Sequence, residues 1–402
     1  MNGVNVAALR AGVSHGEVFG LFRDLRGGLT KADVMRRSGL SRTAVNQRLD
    51  SLLAAGLLVP APEEARTRGR PASQFVVNRD RGVLLVADVG ATGLHAALCD
   101  LGGAVRIERA ADADVTSGPE AILTLVHRLF TEMLEETRQA EENVLGVGID
   151  VPGPVDFATG RVVSPPIMTG WDRYDIPGWF TRRYDCPVLV DKDVNAMAVG
   201  EQRLRYPDVA HLLMVKIGTG VGTGLIAGGQ VHRGADGAAG DVGHIQVTVE
   251  DVTEPPICRC GNAGCVEAYA GGWALVRDLQ DAGREVTTVN DAVRLIRSGD
   301  LAAVRLARRA ARILGGAIAD TVNLFNPRVI AIGGQLAHTD EQLFAGIREV
   351  VYRRSLPLAT RNLQIVRSEL DPNAGILGLA ELLVDGIYAP QRVQELVERA
   401  AG

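Results

Sequence analysis

The chain has 402 residues, a formal net charge of −5 and a composition that is 46% hydrophobic and 23% charged. This length is too great for one ordinary hydrophobic core, so two or three domains are expected. No apolar run is long enough to cross a membrane, and the absence of an apolar leader at the start predicts a cytoplasmic location. Residues 1–81 carry 13 Lys and Arg against 7 Asp and Glu, whereas residues 82–402 carry 30 against 41. A basic head on an acidic body predicts that the head meets a polyanion.

The basic head, residues 1–81, has the pattern of a winged helix-turn-helix. Its predicted elements are a helix over 15–26, a helix over 30–37, a turn at 38–40, a helix over 41–56, and strands at 57–59 and 74–77. In this motif the second helix enters the major groove and its N-terminal residues contact the bases. The predicted DNA-contacting residues are Arg42, Thr43, Asn46, Gln47 and Arg48 on that helix, and Arg66, Arg68 and Arg70 on the wing loop. The alternative is a three-helix packing domain with a solvated basic face, but the charge asymmetry favours DNA binding.

The acidic body alternates apolar strands with amphipathic helices, which predicts an α/β fold. Two strands run into glycine-rich hairpins, one at 88–93 and one at 218–224. The N–H groups of such a hairpin can bind a phosphate, and Asp88 can hold a metal-bound water. Because one hairpin begins each half of the body, we expect two similar lobes, 82–200 and 201–402, with a ligand cleft between them. A C-terminal helix over 374–400 is expected to pack on the first lobe.

A short segment of the second lobe contains one imidazole and three thiols with metal-ligand spacing. The candidate ligands are His244, Cys258, Cys260 and Cys265. This soft N/S set suits Zn²⁺, and because protein fills all four positions, a structural rather than a catalytic ion is predicted. Gly261 and Gly264 permit the tight connection that such a site needs. The alternatives are a cluster of buried small side chains or a disulfide.

Together these motifs closely resemble those of the ROK family (repressors, uncharacterised reading frames and sugar kinases) of the actin-like ATPase superfamily. The resemblance covers nearly the whole chain and rests on residues 88–92, 152–156, 193–195, 218–224, 241–244 and 258–267. It implies a winged helix-turn-helix followed by a two-lobe, ribonuclease H-like sugar-kinase body. With the basic head attached, the chain looks like the sugar-responsive transcriptional regulators of the family.

The resemblance also implies roles for individual positions. Asp193 matches the general base of the kinases, and Glu267 matches a carboxylate that accepts hydrogen bonds from sugar hydroxyls; the alternative is that both are surface or capping acids. The residues expected to contact a sugar are Gly153, Lys192, Asp193, Asn195, Asp241, His244 and Glu267. The residues expected to contact ATP, if it binds, are Asp88, Gly90, Thr92, Gly218, Thr219, Gly220, Gly222, Gly333 and Gly334.

Three departures from the kinase pattern bear on catalysis. In the first hairpin, Ala91 and Gly93 stand where the kinase pattern has Gly and Lys. Asp241 stands where the kinases usually carry Glu. Lys192 occupies a position where Asn is common in the kinases. An Asn amide can both donate and accept hydrogen bonds, whereas the Lys192 ammonium can only donate them. One interpretation is that Lys192 pairs with a nearby aspartate: Asp191, Asp193 or Asp241. The other is that the ligand is anionic, such as a sugar acid or sugar phosphate.

The leading hypothesis is therefore a regulator, expected to be a repressor, that binds operator DNA and a sugar effector. It would act as a homodimer or homotetramer with structural Zn²⁺. The competing hypothesis is an ATP- and Mg²⁺-dependent hexose or N-acetylhexosamine kinase with a DNA-binding head, in which Asp193 is the base. A third, zinc-controlled repression, requires that metal removal change DNA affinity without unfolding the body.

Overall fold

The computed structural model describes residues 13–24, 28–62, 73–250, 252–339 and 341–401. These residues form a three-stranded sheet in the head and two five-stranded sheets in the body. None of the helices in these ranges combines the length and the apolarity that a bilayer-spanning segment requires.

The head contains the predicted helix-turn-helix and two wing strands. Its elements are α1 His15–Asp24, β1 Leu29–Thr30, α2 Lys31–Ser38, α3 Arg42–Ala54, β2 Leu58–Pro60 and β3 Gln74–Val77. The Thr30 side chain caps α2 in a capping box with Asp33, and the Ser41 hydroxyl accepts from the Ala44 N–H to cap α3. Both caps satisfy N–H groups that a helix start would otherwise leave unpaired. The wing loop with Arg66, Arg68 and Arg70 lies outside the described residues, as does the predicted end of the first helix.

The first half of the body is built on a five-stranded mixed sheet. Its elements are β4 Val83–Val89, β5 Gly93–Asp100, β6 Val105–Asp112, α4 Pro119–Thr137, β7 Val144–Val151, β8 Val155–Asp156, β9 Arg161–Val162, α5 Ile176–Thr181 and β10 Val188–Lys192. The strand order is β10-β7-β4-β5-β6. The β4–β5 and β5–β6 pairs are antiparallel, whereas β4–β7 and β7–β10 are parallel.

The second half repeats this topology. Its elements are α6 Asp193–Arg205, β11 Leu212–Ile217, β12 Val221–Ala227, β13 Gln230–Val231, α7 Val266–Ala270, α8 Gly272–Asp281, α9 Val289–Arg297, α10 Leu301–Phe325, β14 Val329–Gly333, α11 Glu341–Arg354, α12 Pro357–Thr360 and β15 Gln364–Arg367. The order β13-β12-β11-β14-β15 again has two antiparallel pairs followed by two parallel pairs. The two halves of the body thus share one sheet topology, and the boundary predicted at residue 200 falls inside α6.

The C-terminal region forms two helices where the sequence analysis predicts one over 374–400. They are α13 Ala374–Ile387 and α14 Pro390–Ala401. The break precedes Pro390, because proline has no N–H for a continuing helix and is favoured in a first turn. Leu379 and Leu383 of α13 share a core with β4, whereas Val393 and Val397 of α14 are buried with Val18 and Phe19 of the head.

Helices α6 and α13 lie unusually close to each other. A Cβ atom added at Gly378 of α13 would lie 1.8 Å from the carbonyl oxygen of Ala196 in α6. Only glycine permits that separation, because real Cβ atoms do not approach a carbonyl so closely. The two helices therefore pack backbone against backbone.

Candidate functional site

A cleft of about 1080 Å³ lies between the two lobes, at the carboxyl ends of the central strands. Open α/β sheets bind ligands at this edge, and the volume suits a small organic molecule. The predicted residues that line it are Asp88, Gly90, Thr92, Gly153, Lys192, Asp193, Gly218, Thr219, Gly220, Gly222, Asp241, His244, Glu267 and Gly334. Asn195 and Gly333 are buried beside the cleft and do not line it. The Asn195 amide nitrogen instead donates to Asp191 Oδ1 at 2.8 Å.

Lys192 ends β10 and is the N-cap residue of α6, and its side chain is buried with the ammonium toward Asp241. The Lys192 Nζ lies 3.5 Å from Asp241 Oδ1. Asp191 has a different partner, because both Nε and an Nη of Arg233 donate to its Oδ2 at 2.9 and 2.6 Å. The geometry therefore matches the interpretation in which Lys192 pairs with an aspartate, and it identifies that aspartate as Asp241.

Asp193 is the first residue of α6 and is held by a lysine that the sequence analysis does not predict. The Nζ of Lys216 donates to Asp193 Oδ2 at 2.6 Å. Burial alone would lower the pKa of Lys216, but the carboxylates of Asp193 and Asp88 outweigh it and raise that pKa above its ordinary value. The signal for Lys216 is present in the sequence, since it is a lone cation in the otherwise apolar strand β11. Its partners become visible only in three dimensions.

Asp150 is a second functional candidate that the sequence analysis does not predict. It is adjacent to Asp88 in the parallel β4–β7 register. Its side chain is fully buried, and neither carboxyl oxygen has a hydrogen-bond donor among the described residues. Burial and then the charge of Asp88 raise the pKa of Asp150 well above its ordinary value. The N-terminus of α13 closes over this pair: a Cβ on Gly375 would lie 2.9 Å from Asp88 Oδ2 and 3.1 Å from Asp150 Oδ2.

Glu267 connects the second glycine hairpin to the cysteine-rich segment. Its Oε2 accepts from the Val221 N–H at 2.9 Å, and its Oε1 accepts from the Trp273 Nε1–H at 3.2 Å. The Sγ of Cys258 lies 3.9 Å from the same Oε1. Glu267 is thereby fixed at the wall of the cleft by hydrogen bonds from β12 and from α8.

The predicted metal ligands come together in space. The ligand atoms of His244, Cys258, Cys260 and Cys265 all lie within 4.8 Å of one another. The Cys260 and Cys265 sulfurs are 3.7 Å apart, as are the Cys258 sulfur and His244 Nδ1. Tetrahedral Zn–S bonds of about 2.3 Å separate neighbouring sulfurs by about 3.8 Å, so this cluster fits a metal ion.

The backbone of the cluster explains how so short a segment closes on itself. Gly261 and Gly264 have φ values of +92° and +77°, a region that favours glycine. Burial raises the pKa of the Cys265 thiol to about 12, so a bound cation is what would hold it as a thiolate. If all four side chains held one tetrahedral ion, no position would be left for a water, so such an ion would brace the cleft wall and would not activate a substrate.

The N-terminal half of α3 presents the predicted base-contacting residues. Arg42, Thr43 and Gln47 are exposed, and Asn46 is half-buried. Arg48 is also half-buried, and its Nε donates to the Val13 carbonyl at 3.2 Å. Arg48 thus has a partner within the head, whereas DNA contact by any of these residues stays a prediction.

The fold and the cleft define a class of protein: an actin-like, two-lobe α/β body of the sugar-kinase type with a winged helix-turn-helix head. Residues 85–385 match the ROK family, and residues 25–59 match the winged helix-turn-helix DNA-binding family. The chain belongs to the ROK family. The predicted resemblance and fold class are confirmed.

Relatives of two kinds share this architecture, one over nearly the whole chain and the other over about three-quarters of it. The xylose repressor of Caldicellulosiruptor bescii is 27% identical over 375 residues, which cover 90% of this chain and 93% of the repressor. A crystal structure of a ROK family transcriptional regulator, a homologue of the E. coli MLC protein, has 28% identity and a TM-score of 0.79 and covers 96% of this chain and 98% of its own. A ROK glucokinase from Streptomyces griseus, in complex with glucose and AMPPNP, has 28% identity and a TM-score of 0.65; the match covers 75% of this chain and 99% of the kinase.

Proposed function

We propose that the protein is a sugar-responsive transcriptional repressor that binds operator DNA through its head and a sugar in the interlobe cleft. The observation that carries this proposal is the union, in one chain, of an exposed recognition helix and a sugar-kinase-like cleft. Relatives that align over about nine-tenths of this chain are repressors, whereas the glucokinase matches only three-quarters of it. Residues 1–81 serve as the DNA-binding head, and 82–200 and 201–402 serve as the two lobes.

The effector is a neutral sugar rather than a sugar acid or sugar phosphate. Support comes from the charges of the cleft: Lys192 pairs with Asp241 and Lys216 pairs with Asp193. Glu267 adds a further carboxylate with no cation bound to it in the described structure. An anion entering this cleft would meet uncompensated negative charge, whereas sugar hydroxyls can donate to carboxylates and accept from Lys192. Gly153 and His244 complete the proposed contact set, and Asn195 supports it indirectly by positioning Asp191.

The metal is Zn²⁺ in a structural role, held by four side chains: His244, Cys258, Cys260 and Cys265. The donor set and its spacing support this assignment. The ion would fix the loop that carries Glu267, because Cys265 precedes α7 directly and Cys258 touches the Glu267 carboxylate. Metal loss is therefore expected to weaken sugar binding through the loop.

The structural change that follows ligand binding is transmitted from the cleft to the head through helices α6 and α13. Asp193 begins α6, and the N-terminus of α13 lies against Asp88 and Asp150. At the far end of both helices, Asp385 of α13 pairs with Arg203 of α6 and with Arg23 of the head. Tyr388 stacks on Phe19 of α1 with ring centroids 4.7 Å apart. Closure of the lobes would thus reorient the heads of a symmetric dimer on a palindromic operator.

The test is a DNA selection followed by a ligand screen. Random duplexes are selected on the purified full-length protein, and the enriched duplex is titrated by fluorescence anisotropy with neutral sugars, sugar acids and sugar phosphates. We expect one neutral sugar to change the operator Kd by about 5- to 150-fold, the usual range of allosteric coupling, and to raise the melting temperature. No affinity for any duplex at low ionic strength would refute the repressor. A response to acidic sugars alone would refute the neutral effector.

The second candidate is an ATP-dependent sugar kinase, which is favoured by the presence of Asp193 and both glycine hairpins in the cleft. A coupled assay for ADP formation across the same neutral sugars tests it. Turnover that depends on sugar and is lost in Asp193→Asn would establish the kinase. Sugar-dependent operator release without turnover would exclude it.

A further inference from the structure

Lys216 is a partly buried cation that lines the cleft among acidic side chains. It is the fifth residue of β11, whose other residues are apolar. Its Nζ lies 2.6 Å from Asp193 Oδ2, and its side chain is 23% exposed against 7% for Asp193. Asp88 and Asp150 are also close enough to act on its charge. An ammonium so placed stays protonated at neutral pH, because losing its proton would leave several buried carboxylates unopposed.

The acids around Lys216 form a cluster that requires a positive charge. Asp88 and Asp150 lie near the ends of the neighbouring strands β4 and β7, and Asp193 begins α6. Asp88 and Asp193 line the cleft, and Asp150 lies buried beside Asp88. Asp150 is fully buried and accepts no hydrogen bond within the described residues. Buried carboxylates of this kind are stabilised by a metal ion, a bound proton or a fixed cation. In this chain the fixed cation is present, since Lys216 donates directly to Asp193.

The remaining features of the phosphate-binding region do not fit Mg-ATP. In the first hairpin, Ala91 adds a Cβ atom where a phosphate would approach, and Gly93 supplies no cation. At the opposite lobe, the Gly334 N–H, predicted to face the nucleotide, donates to Asp371 Oδ2 at 3.1 Å. That amide is engaged by an acid, which would repel a nucleotide's phosphates.

We propose that Lys216 is a built-in counter-ion that takes the place of a divalent cation and its nucleotide, so that the cleft binds its sugar without Mg-ATP. The ammonium holds the Asp193 carboxylate in place as an acceptor for a sugar hydroxyl, and its bond to Oδ2 competes with the proton transfer that a general base would have to perform there. This inference rests on the proposed sugar pocket and is independent of DNA binding.

The first test uses the wild-type protein and needs no variant. Mg²⁺ alone, Mg²⁺ with AMPPNP, and the neutral sugar panel are titrated by calorimetry and by thermal melting. We expect a sugar to bind with the same Kd, within about twofold, whether or not Mg-AMPPNP is present, as for sites with no coupling. Saturable Mg-AMPPNP binding that tightens the sugar Kd would overturn the proposal. Failure of every sugar to bind would refute the proposed pocket, whereas the nucleotide result would still test Lys216.

The second test replaces the cation. Lys216→Ala removes the ammonium and leaves the three aspartates, so Mn²⁺ should bind this variant about 100-fold more tightly than wild type, as expected when a buried acid cluster loses its partner. Mn²⁺ should also restore much of the melting temperature that the variant loses. Lys192→Ala is the matched control, because it removes a buried lysine from the same cleft but not from this cluster. Equal Mn²⁺ affinity in wild type and Lys216→Ala, or an equal gain in Lys192→Ala, would overturn the assignment.

Discussion

Asp385 is the residue through which the head and the cleft helices meet, and its substitution gives the sharpest test of coupling. It lies near the end of α13 and pairs with Arg23 of α1 and with Arg203 of α6. The substitution Asp385→Asn keeps the side-chain shape and removes the charge that both arginines share. We expect it to loosen the head from the body without disturbing the cleft.

The expected magnitude follows from the burial of the three side chains. Asp385 is 30% exposed, Arg23 is 25% exposed and Arg203 is 18% exposed. Exposed pairs contribute about 0–1 kcal/mol, and breaking a buried pair costs about 3–5 kcal/mol. For a carboxylate of intermediate burial with two partners, we expect head docking to weaken by about 2 kcal/mol, or about 30-fold.

The assay compares operator affinity with and without the neutral sugar that the ligand screen identifies as the effector. In the wild type the ratio of the two Kd values reports the coupling, and in Asp385→Asn this ratio should fall toward one while the sugar Kd stays unchanged. Glu369→Gln is the matched control, because Glu369 pairs with Arg205 on the same helix, α6, but both side chains are about half exposed and this pair includes no residue of the head. An unaltered ratio in Asp385→Asn, or an equal loss in Glu369→Gln, would refute the proposed path.

Three further predictions concern the buried acid, the metal cluster and the recognition helix. Burial and Asp88 raise the pKa of Asp150 in the folded protein, so the native state keeps a proton that the unfolded chain releases above about pH 4. The free energy of unfolding should therefore fall as the pH rises from about 4 toward the raised pKa of Asp150. Asp150→Asn should flatten that decline, which denaturant melts at several pH values would measure. Cys260→Ser should lower both the zinc content, measured by elemental mass spectrometry, and the melting temperature, whereas Cys186→Ser should retain the metal. Gln47→Ala should change the base preference recovered from random duplexes; an unchanged preference would place recognition on another surface.

The elements of this protein could be predicted closely because their patterns are local. The strand over 144–151 has the predicted bounds, and the caps at Thr30 and Ser41 begin the helices that their side chains predict. The end of α13 before Pro390 follows from a local rule as well, although the sequence analysis predicts one helix there. Local patterns were thus sufficient for the α/β class and for the cluster of His244 with three cysteines, which lie close together along the chain. The actin-like, two-lobe assignment came from the resemblance to the family.

The charge arrangement of the cleft could not be predicted, because it depends on contacts between distant segments. Lys192 pairs with Asp241, and Arg233 pairs with Asp191, which lies 42 residues away from it along the chain. Asp150 becomes a neighbour of Asp88 through the register of two parallel strands. A charged residue inside an apolar strand was the available signal, but the sequence does not say which partners surround it.

The close contact at Gly378 has a mechanical consequence. Where two helices contact each other through their backbones, no side chains lie between them that could change rotamer and let one helix shift past the other. We therefore expect α6 and α13 to move as one rigid body. The 14 residues of α13 span about 21 Å at 1.5 Å each, so a tilt of only about 5° at the carboxylate end would carry the other end about 2 Å. A sub-ångström adjustment around a bound hydroxyl would thereby become a displacement large enough to change how two wings fit successive turns of a double helix.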